Sequence, residues 1–190
     1  MTFTKVSQDA FDALQMNAGV LLSNFDPTNP VEPQDADIIC TTSGGINVTC
    51  APTYSDFGED VDNVPNNMME FKHLDGWDCG MSFTSIKFNK AGIALALGAY
   101  EEEGTTKIKP RRDLDQGDFK DIWWVGDKAD GGAVAICLLN ALSTGGFSMQ
   151  TTKNGKGTIS MSLTGHVSIE AQDVMPMEFY VLEAPAQPAP

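Results

Sequence analysis

GGFSMQTTKNGKGTISMSLTGHVSI, residues 145–169, is the stretch that decides the fold, because it predicts two strands joined by a tight turn. Apolar and polar side chains alternate on both sides of the turn, which is the period of a strand with one buried face. Asn154-Gly155 predicts a type I′ turn, and Gly157 predicts a bulge. The face toward the core is expected to comprise Phe147, Met149 and Thr151 in the first strand and Ile159, Met161 and Leu163 in the second.

The opposite face of this hairpin is polar but carries no charge. A solvated sheet surface usually contains lysine and glutamate, so a neutral face over about four residues per strand is unusual. We therefore expect this face to meet something other than bulk water. Its members are Ser148, Gln150 and Thr152 before the turn and Thr158, Ser160, Ser162 and Thr164 after it.

Periodicity elsewhere predicts a mainly β protein with one flanking helix. The cleanest strand is Trp77–Phe83, with Trp77, Cys79, Met81 and Phe83 inward and the residues between them outward. Asn89 is the expected cap of a short helix that ends at Gly98, and residues 7–16 are expected to form another short helix. The remaining predicted strands are Gly19–Leu22, Ile38–Cys40, Asp121–Val125, Ala133–Leu139 and Met177–Leu182.

Length and charge limit the classes of protein that the chain can belong to. Its 190 residues predict one domain over 1–182, followed by a Pro/Ala-rich tail at 183–190. Net charge is −14, and residues 1–75 contain 12 acidic and 2 basic residues. This charge repels phosphate backbones, which excludes tight nucleic-acid binding but not the handling of DNA without holding it.

The cysteines and the N-terminus indicate a reducing compartment. Cys40, Cys50, Cys79 and Cys137 have no Cys-x-x-Cys spacing, so reduced and mostly buried thiols are favoured over a metal or disulfide role. The N-terminal residues contain no apolar signal core, and no apolar run approaches the ~20 residues of a membrane span. We expect a protein that is made and kept in a cytoplasm until something releases it.

Motifs for catalysis or cofactor binding are not recognisable in the sequence. No Gly-x-Ser-x-Gly or His-Glu-x-x-His occurs, and the acids at 56–62 do not match a calcium-binding loop. His73 lies near Asp75 and Asp78, where local hydrogen bonding is favoured over catalysis. Lys107, Lys109, Arg111 and Arg112 are flanked by aspartates, which predicts an ion-pair face. We expect no enzyme, no metal and no cofactor.

Residues 41–72 change in composition to glycine, proline, asparagine and acid. This predicts a long loop without strands, which is rare inside a compact domain. Such a loop is either functional and ordered on a partner, or a solvated insertion, and the sequence favours neither.

Several stretches together resemble the major tail proteins of long-tailed phages of Gram-positive bacteria. The similarity extends over nearly the whole chain, up to about Tyr180. The stretches that carry it are Asn17–Leu22, Asp56–Asn67, His73–Cys79, Pro110–Leu114, Asp121–Asp127, Ala141–Phe147, Lys153–Gly157 and Leu163–His166.

The resemblance implies a tail-tube subunit with a β-sandwich or partial-barrel fold and one flanking helix. In that family, hexameric rings stack into a hollow tube, strands join around the lumen, and a long loop contacts the adjacent ring. It also implies a place in the virion tail after assembly in the host cytoplasm, with tape-measure and tail-terminator proteins as partners. DNA passes during ejection without tight binding, no membrane is involved, and the extra C-terminal immunoglobulin-like domain of some relatives is expected to be absent.

Two sets of residues follow as candidate sites within the resemblance. The 44–71 loop is the expected contact with another ring, and the polar hairpin face is the expected lumen or subunit interface. The contact residues are Phe57, Glu59, Asp60, Val61, Asp62, Asn63, Pro65 and Asn67; the lumen or interface residues are Ser148, Gln150, Thr158, Ser160 and Ser162.

The composition also fits other classes of protein. A head–tail completion protein or a capsid decoration protein shares the strand content but does not form tubes by itself. A secreted binding module fits the strands, but the missing signal sequence and the four expected thiols count against it.

Overall fold

The fold is built around one long antiparallel sheet that bends across its central strand. The computed structural model describes residues 6–7 and 10–184. The strands are β1 (Val20–Leu22), β2 (Ile38–Cys40), β3 (Thr42–Asp56), β4 (Lys72–Ser85), β5 (Tyr100–Glu103), β6 (Lys107–Pro110), β7 (Lys120–Asp127), β8 (Ala133–Ser143), β9 (Ser148–Gln150), β10 (Thr158–Thr164) and β11 (Met177–Leu182). Their order in the sheet is β2-β1-β7-β8-β10-β4-β3, with β11 also paired with β8 and β9 also paired with β10, while β5 and β6 form a separate pair.

Strand β8 belongs to both halves of the sheet. Its first part pairs with β7 and β11, and its last residues pair with β10. Between these parts the β7–β8 register shifts, and Asn140 has φ +47° while its N–H donates to Asp121 Oδ1 at 2.9 Å. A bulge of this kind bends a strand. The sheet therefore folds over itself at Asn140.

The inner sides of the two halves share one core. Apolar side chains of both halves, including Leu21, Leu138, Met81, Ile159 and Leu163, are almost fully buried in the same cluster. Two faces of one bent sheet thus cover each other, with the helix α1 (Lys90–Leu97) beside them. The prediction of a mainly β fold with one flanking helix is confirmed.

The helix begins and ends where the sequence predicts. Asn89 Oδ1 accepts a hydrogen bond from the Gly92 N–H at 2.8 Å, and Gly98 ends the helix with φ +73°. These are an N-cap and a C-terminal glycine whose positive φ most other residues rarely adopt.

The hairpin that decides the fold is confirmed in its pairing but not in its turn. Thr158 pairs with Gln150, and Ile159 with Met149. The ladder stops there, so residues 151–157 form a longer loop, and neither Asn154 nor Gly155 has the positive φ that a type I′ turn needs. The predicted type I′ turn is wrong: β9 ends at Gln150 and β10 begins at Thr158, so the strands do not extend to Asn154-Gly155.

The apolar face of this hairpin follows the prediction in its second strand but not in its first. Ile159, Met161 and Leu163 are buried as expected. Phe147 and Met149 are exposed, and β9 is a three-residue strand that pairs only with β10 in the described structure. Their predicted burial is therefore wrong.

The N-terminal helix predicted at residues 7–16 is also wrong for the part that is described. Residues 10–13 form turns, Gln15 bridges to Lys128, and the Met16 N–H donates to Asp127 O at 2.8 Å. This backbone satisfies its hydrogen bonds beside β7 instead of within a helix.

The end of the predicted tail, 185–190, lies outside the described residues. Among those described, no helix is long and apolar enough to cross a membrane.

Candidate assembly surfaces

Strands β3 and β4 extend beyond the rest of the sheet as a hairpin that we call the arm, residues 51–78. Register pairs run from Ile46–Phe83 at the body to Asp56–Lys72 near the tip. Strand β10 accompanies β4 only from Gly80 to Ser85, so in the described structure the arm is two strands wide. About six residues per strand project past β10, which corresponds to roughly 20 Å.

The predicted loop at 44–71 is therefore wrong over its first half. Thr42–Asp56 is a strand, and the loop comprises only residues 57–71. Two glycines and a proline obscured the strand: Gly44 and Gly45 form a bulge with φ +83° and +81°, and Pro52 lies on an edge strand. Both positions are ones that strands tolerate.

The tip of the arm is folded within the single chain. The Phe57 N–H donates to Phe71 O at 3.0 Å, and the Val61 N–H donates to Gly58 O at 3.3 Å. Gly58 is buried, and a Cβ there would meet Phe71 and Val64 at 3.2 Å each. The expectation of a loop without structure of its own is not met.

All of the predicted contact residues lie in this tip loop, and all of them are exposed: Phe57, Glu59, Asp60, Val61, Asp62, Asn63, Pro65 and Asn67. Asn63 and Asn67 have φ of +65° and +61°, which asparagine adopts more readily than most residues. These two asparagines shape the turn, while Phe57 and Val61 present apolar side chains to solvent.

The arm exposes an unusual amount of apolar surface. Trp77 follows the inward side of β4, as predicted, but is 37% exposed because the core ends at Cys79. Met69 is 80% exposed and Phe57 is 67% exposed. A clustered apolar surface of this kind marks an interaction site more often than scattered single residues do. The exposed members of the arm are Tyr54, Phe57, Val61, Met68, Met69, Leu74 and Trp77.

The same segment is strongly acidic. Between Asp56 and Asp78 there are seven acidic residues and one lysine. Lys72 pairs with Asp56 at 2.9 Å, next to the point where the tip begins. The arm therefore presents its exposed apolar side chains within a strongly acidic segment.

Asp56 is expected to titrate below the ordinary aspartate range. The hydrogen bond from Lys72, followed by that from the Gly58 N–H, lowers the pKa of its carboxyl. A lowered folded-state pKa stabilises the tip above the unfolded pKa, and this contribution is lost as pH falls through the folded value. By NMR, the Gly58 amide resonance should titrate with a midpoint below that of an unpaired aspartate.

Lys72→Met is the matched variant for this measurement. It keeps a flexible, unbranched side chain but removes the charge, so the midpoint of the Gly58 titration should move upward. An identical midpoint in both proteins would show that Lys72 does not stabilise the carboxylate.

A second surface is the outer face of β9, β10, β4 and β3, which we call the hydroxyl face. Ser160 lies between Ser148 and Thr84, and Ser162 lies beside Ser82, which lies beside Asn47. Its members are Ser148, Gln150, Thr158, Ser160, Ser162, Thr164, Ser82, Thr84, Asn47 and Thr49. No member is charged.

The hydroxyl face has a shallow groove at Gly80. The groove has a volume of about 310 Å³ and runs between Thr49 and Thr164, since Gly80 contributes no side chain between them. Asp78 lies at one end of it. The face is thus a neutral, polar strip with a shallow groove and one acid at its margin.

The predicted ion-pair face is confirmed in the β5-β6 hairpin. Lys109 pairs with Glu101 at 2.8 Å, and Arg111 pairs with Asp115 at 2.9 Å and with Asp118. Glu101–Glu103 belong to strand β5, which pairs with the strand that contains Lys109. Since these cations are neutralised locally, they do not form a phosphate site.

The histidines have structural contacts. The His73 ring lies 5.9 Å from that of Phe57, and His166 Nδ1 lies 3.1 Å from Asn140 O. Among the described residues, no group of three or more His, Cys, Asp or Glu could hold a metal. A cavity of about 710 Å³ lies between α1, β2 and β7 and is open to solvent.

Comparison with known proteins gives similarity in fold only. Solved structures similar to this chain include the following two. One is the tail of an empty gene transfer agent particle with C6 symmetry, at 10% identity and TM-score 0.41, covering 80% of this chain and 92% of that one. The other is the virion of a native gene transfer agent particle, at 9% identity and TM-score 0.42, covering 86% and 95%. No protein-family model matches the chain, and no curated protein sequence does.

The structure brings together more of the hydroxyl face than the sequence indicated. The five predicted residues, Ser148, Gln150, Thr158, Ser160 and Ser162, do share one face. Ser82, Thr84, Asn47 and Thr49 extend it and were not predicted as part of a site. The alternating pattern of β4 indicated that Ser82 and Thr84 face outward. The sequence of β3 gave no such indication for Asn47 and Thr49.

Proposed function

We propose that this protein is a structural subunit of a phage tail tube, assembled from stacked hexameric rings that conduct DNA during ejection. The observation that carries the proposal is the arm, which is only two strands wide and exposes Phe57, Met69 and Trp77. An isolated two-stranded hairpin is marginally stable in water. The arm is therefore built to be covered by another molecule.

A second copy of the chain is the partner that fits the arm and the sheet edges best. In the described structure, β2 ends the sheet on one side and β3 ends it on the other. Unpaired edges promote joining between chains, and closure into a ring removes them. One kind of interface can thus join edges around the ring while the arm reaches to a neighbouring ring.

The hydroxyl face is proposed to line the lumen. It has no cation to hold a phosphate, and its hydroxyl and amide groups can hydrogen-bond to water along the wall. The overall charge of −14 opposes DNA binding at longer range. DNA would pass such a wall without being retained.

Within this proposal the protein resides in the virion tail after assembly in the host cytoplasm. Tape-measure and tail-terminator proteins are the expected partners, filling the tube during assembly and ending it. No cofactor and no membrane take part.

Electron microscopy of the concentrated, purified protein tests the proposal directly. Hollow tubes or stacked rings of six subunits are expected. A protein that stays monomeric in sedimentation at the same concentration, or that decorates capsids without forming tubes, would support a head–tail completion or decoration role instead.

The placement of the hydroxyl face can be tested with Ser160→Cys in a Cys50→Ser background. Both a small maleimide and one carrying a long polyethylene glycol chain should label the exposed site in the monomer. In tubes, the small reagent should still react, while the large one should lose most of its labelling because it cannot travel along the lumen.

The two reagents also separate the other placements of this face. If both react with tubes, Ser160 lies on the outside. If neither reacts, Ser160 lies in a subunit interface. Either result would overturn the lumen assignment but leave tube formation standing.

A further inference from the structure

Two of the four cysteines face each other at the base of the arm. Cys50 of β3 and Cys79 of β4 are directly opposed in the ladder, and their Sγ atoms are 3.2 Å apart. Cys79 is 2% exposed, while Cys50 is only half-buried. Solvent thus reaches one member of the pair.

The other two cysteines lie elsewhere and differ in their surroundings. Cys40 is in β2 and Cys137 is in β8, and both are buried in the core. All four are thiols in this structure. Only Cys50 and Cys79 have neighbouring sulfur atoms within hydrogen-bond range among the described residues.

We propose that Cys50 and Cys79 are a modification site, at which a small-molecule disulfide such as oxidised glutathione forms an intrachain disulfide across the base of the arm. Opposed residues of an antiparallel pair have Cα atoms about 4.5–5.5 Å apart, which falls within the range that a disulfide spans. From 3.2 Å, the sulfur atoms need to approach by roughly 1 Å to reach the bonding distance.

The exchange balances in two steps. The Cys50 thiolate attacks one sulfur of the small disulfide, forms a mixed disulfide and releases one small thiolate. The Cys79 thiolate then attacks Cys50 Sγ and releases the second small thiolate. The two protons lost by the protein thiols protonate the two released thiolates, so two protein thiols are oxidised and one small disulfide is reduced.

The order of the two steps follows from burial. Desolvation, followed by the neighbouring Cys50, raises the pKa of the Cys79 thiol to about 12. Cys79 is therefore a poor first nucleophile, and its burial shields it from a bulky oxidant. It becomes effective only when the mixed disulfide is held beside it.

The bond would fix the register of the arm where the arm leaves the core. It closes a loop that contains the whole arm tip and removes open conformations of that loop. Both strands beyond it gain protection from fraying, since their base can no longer separate.

The test uses the purified full-length protein treated with oxidised glutathione, then denatured and alkylated. Two alkylated cysteines are expected instead of four, with a linked peptide pair containing Cys50 and Cys79. Cys79→Ser should keep glutathione on Cys50, because no second thiol displaces it. Cys137→Ser, the matched control, should still form the link.

Hydrogen exchange of the oxidised protein tests the effect on the arm. Amides at 51–56 and 72–78 should exchange about tenfold or more slowly than in the reduced protein. Four alkylated cysteines in the treated wild type, or a link through Cys40 or Cys137, would overturn the site. Unchanged exchange in a linked protein would overturn the locking of the arm.

Discussion

Replacing both Phe57 and Met69 with serine is expected to abolish the stacking of rings into tubes while leaving the protein folded. Both side chains are largely exposed at the tip of the arm, at 67% and 80%, so their loss removes little from the core. Burying such a side chain against a partner contributes about 1.5–3 kcal/mol. Losing two contacts weakens each association by about a hundredfold to ten-thousandfold.

Sedimentation and electron microscopy measure this effect, and circular dichroism verifies the fold. Ile169→Ser is the matched control, since Ile169 is 81% exposed but lies outside the arm. The control should assemble as the wild type does. If the double variant forms normal tubes, the arm is not an assembly contact.

Leu138→Ala is expected to lower the free energy of unfolding strongly. Leu138 is fully buried in β8, pairs with Ile122 on one side and Met177 on the other, and contributes to the core that both sheet halves share. Truncating a buried leucine costs about 2–5 kcal/mol. For a chain of this size, the thermal midpoint should fall by about 5–15 °C.

Val181→Ala provides the comparison for this measurement. Val181 lies on the neighbouring strand β11 but is largely exposed, so its midpoint should stay within about 2 °C of the wild type. Equal losses in the two variants would mean that the bent sheet does not close over a common core at Leu138.

The sequence predicted strands well wherever one face is buried. Met81 and Phe83 in β4, and Ile159 to Leu163 in β10, alternate because one side of each strand meets the core. Strand β3 has little of this signal, since much of it lies outside the core and Pro52 occupies an edge position. Its structure depends on pairing with β4, which is distant in sequence.

The same limit applies to the candidate sites. The polar side of the β9-β10 hairpin was predictable because both strands adjoin one loop. The extension to Asn47 and Thr49, and the pairing of Cys50 with Cys79, depend on the register between β3 and β4. The periodicity within one strand does not determine which residues of two strands are paired. The bulge at Gly44 and Gly45 also changes the register along β3.

Strand β4 also has a mechanical consequence. It runs without interruption from Lys72, at the tip of the arm, to Ser85, inside the domain. Its hydrogen bonds to β3 and β10 lie across the direction of the strand. A pull on the tip along this axis would load many of these bonds in shear at once, so the arm should transmit tension into the body of the subunit and resist peeling.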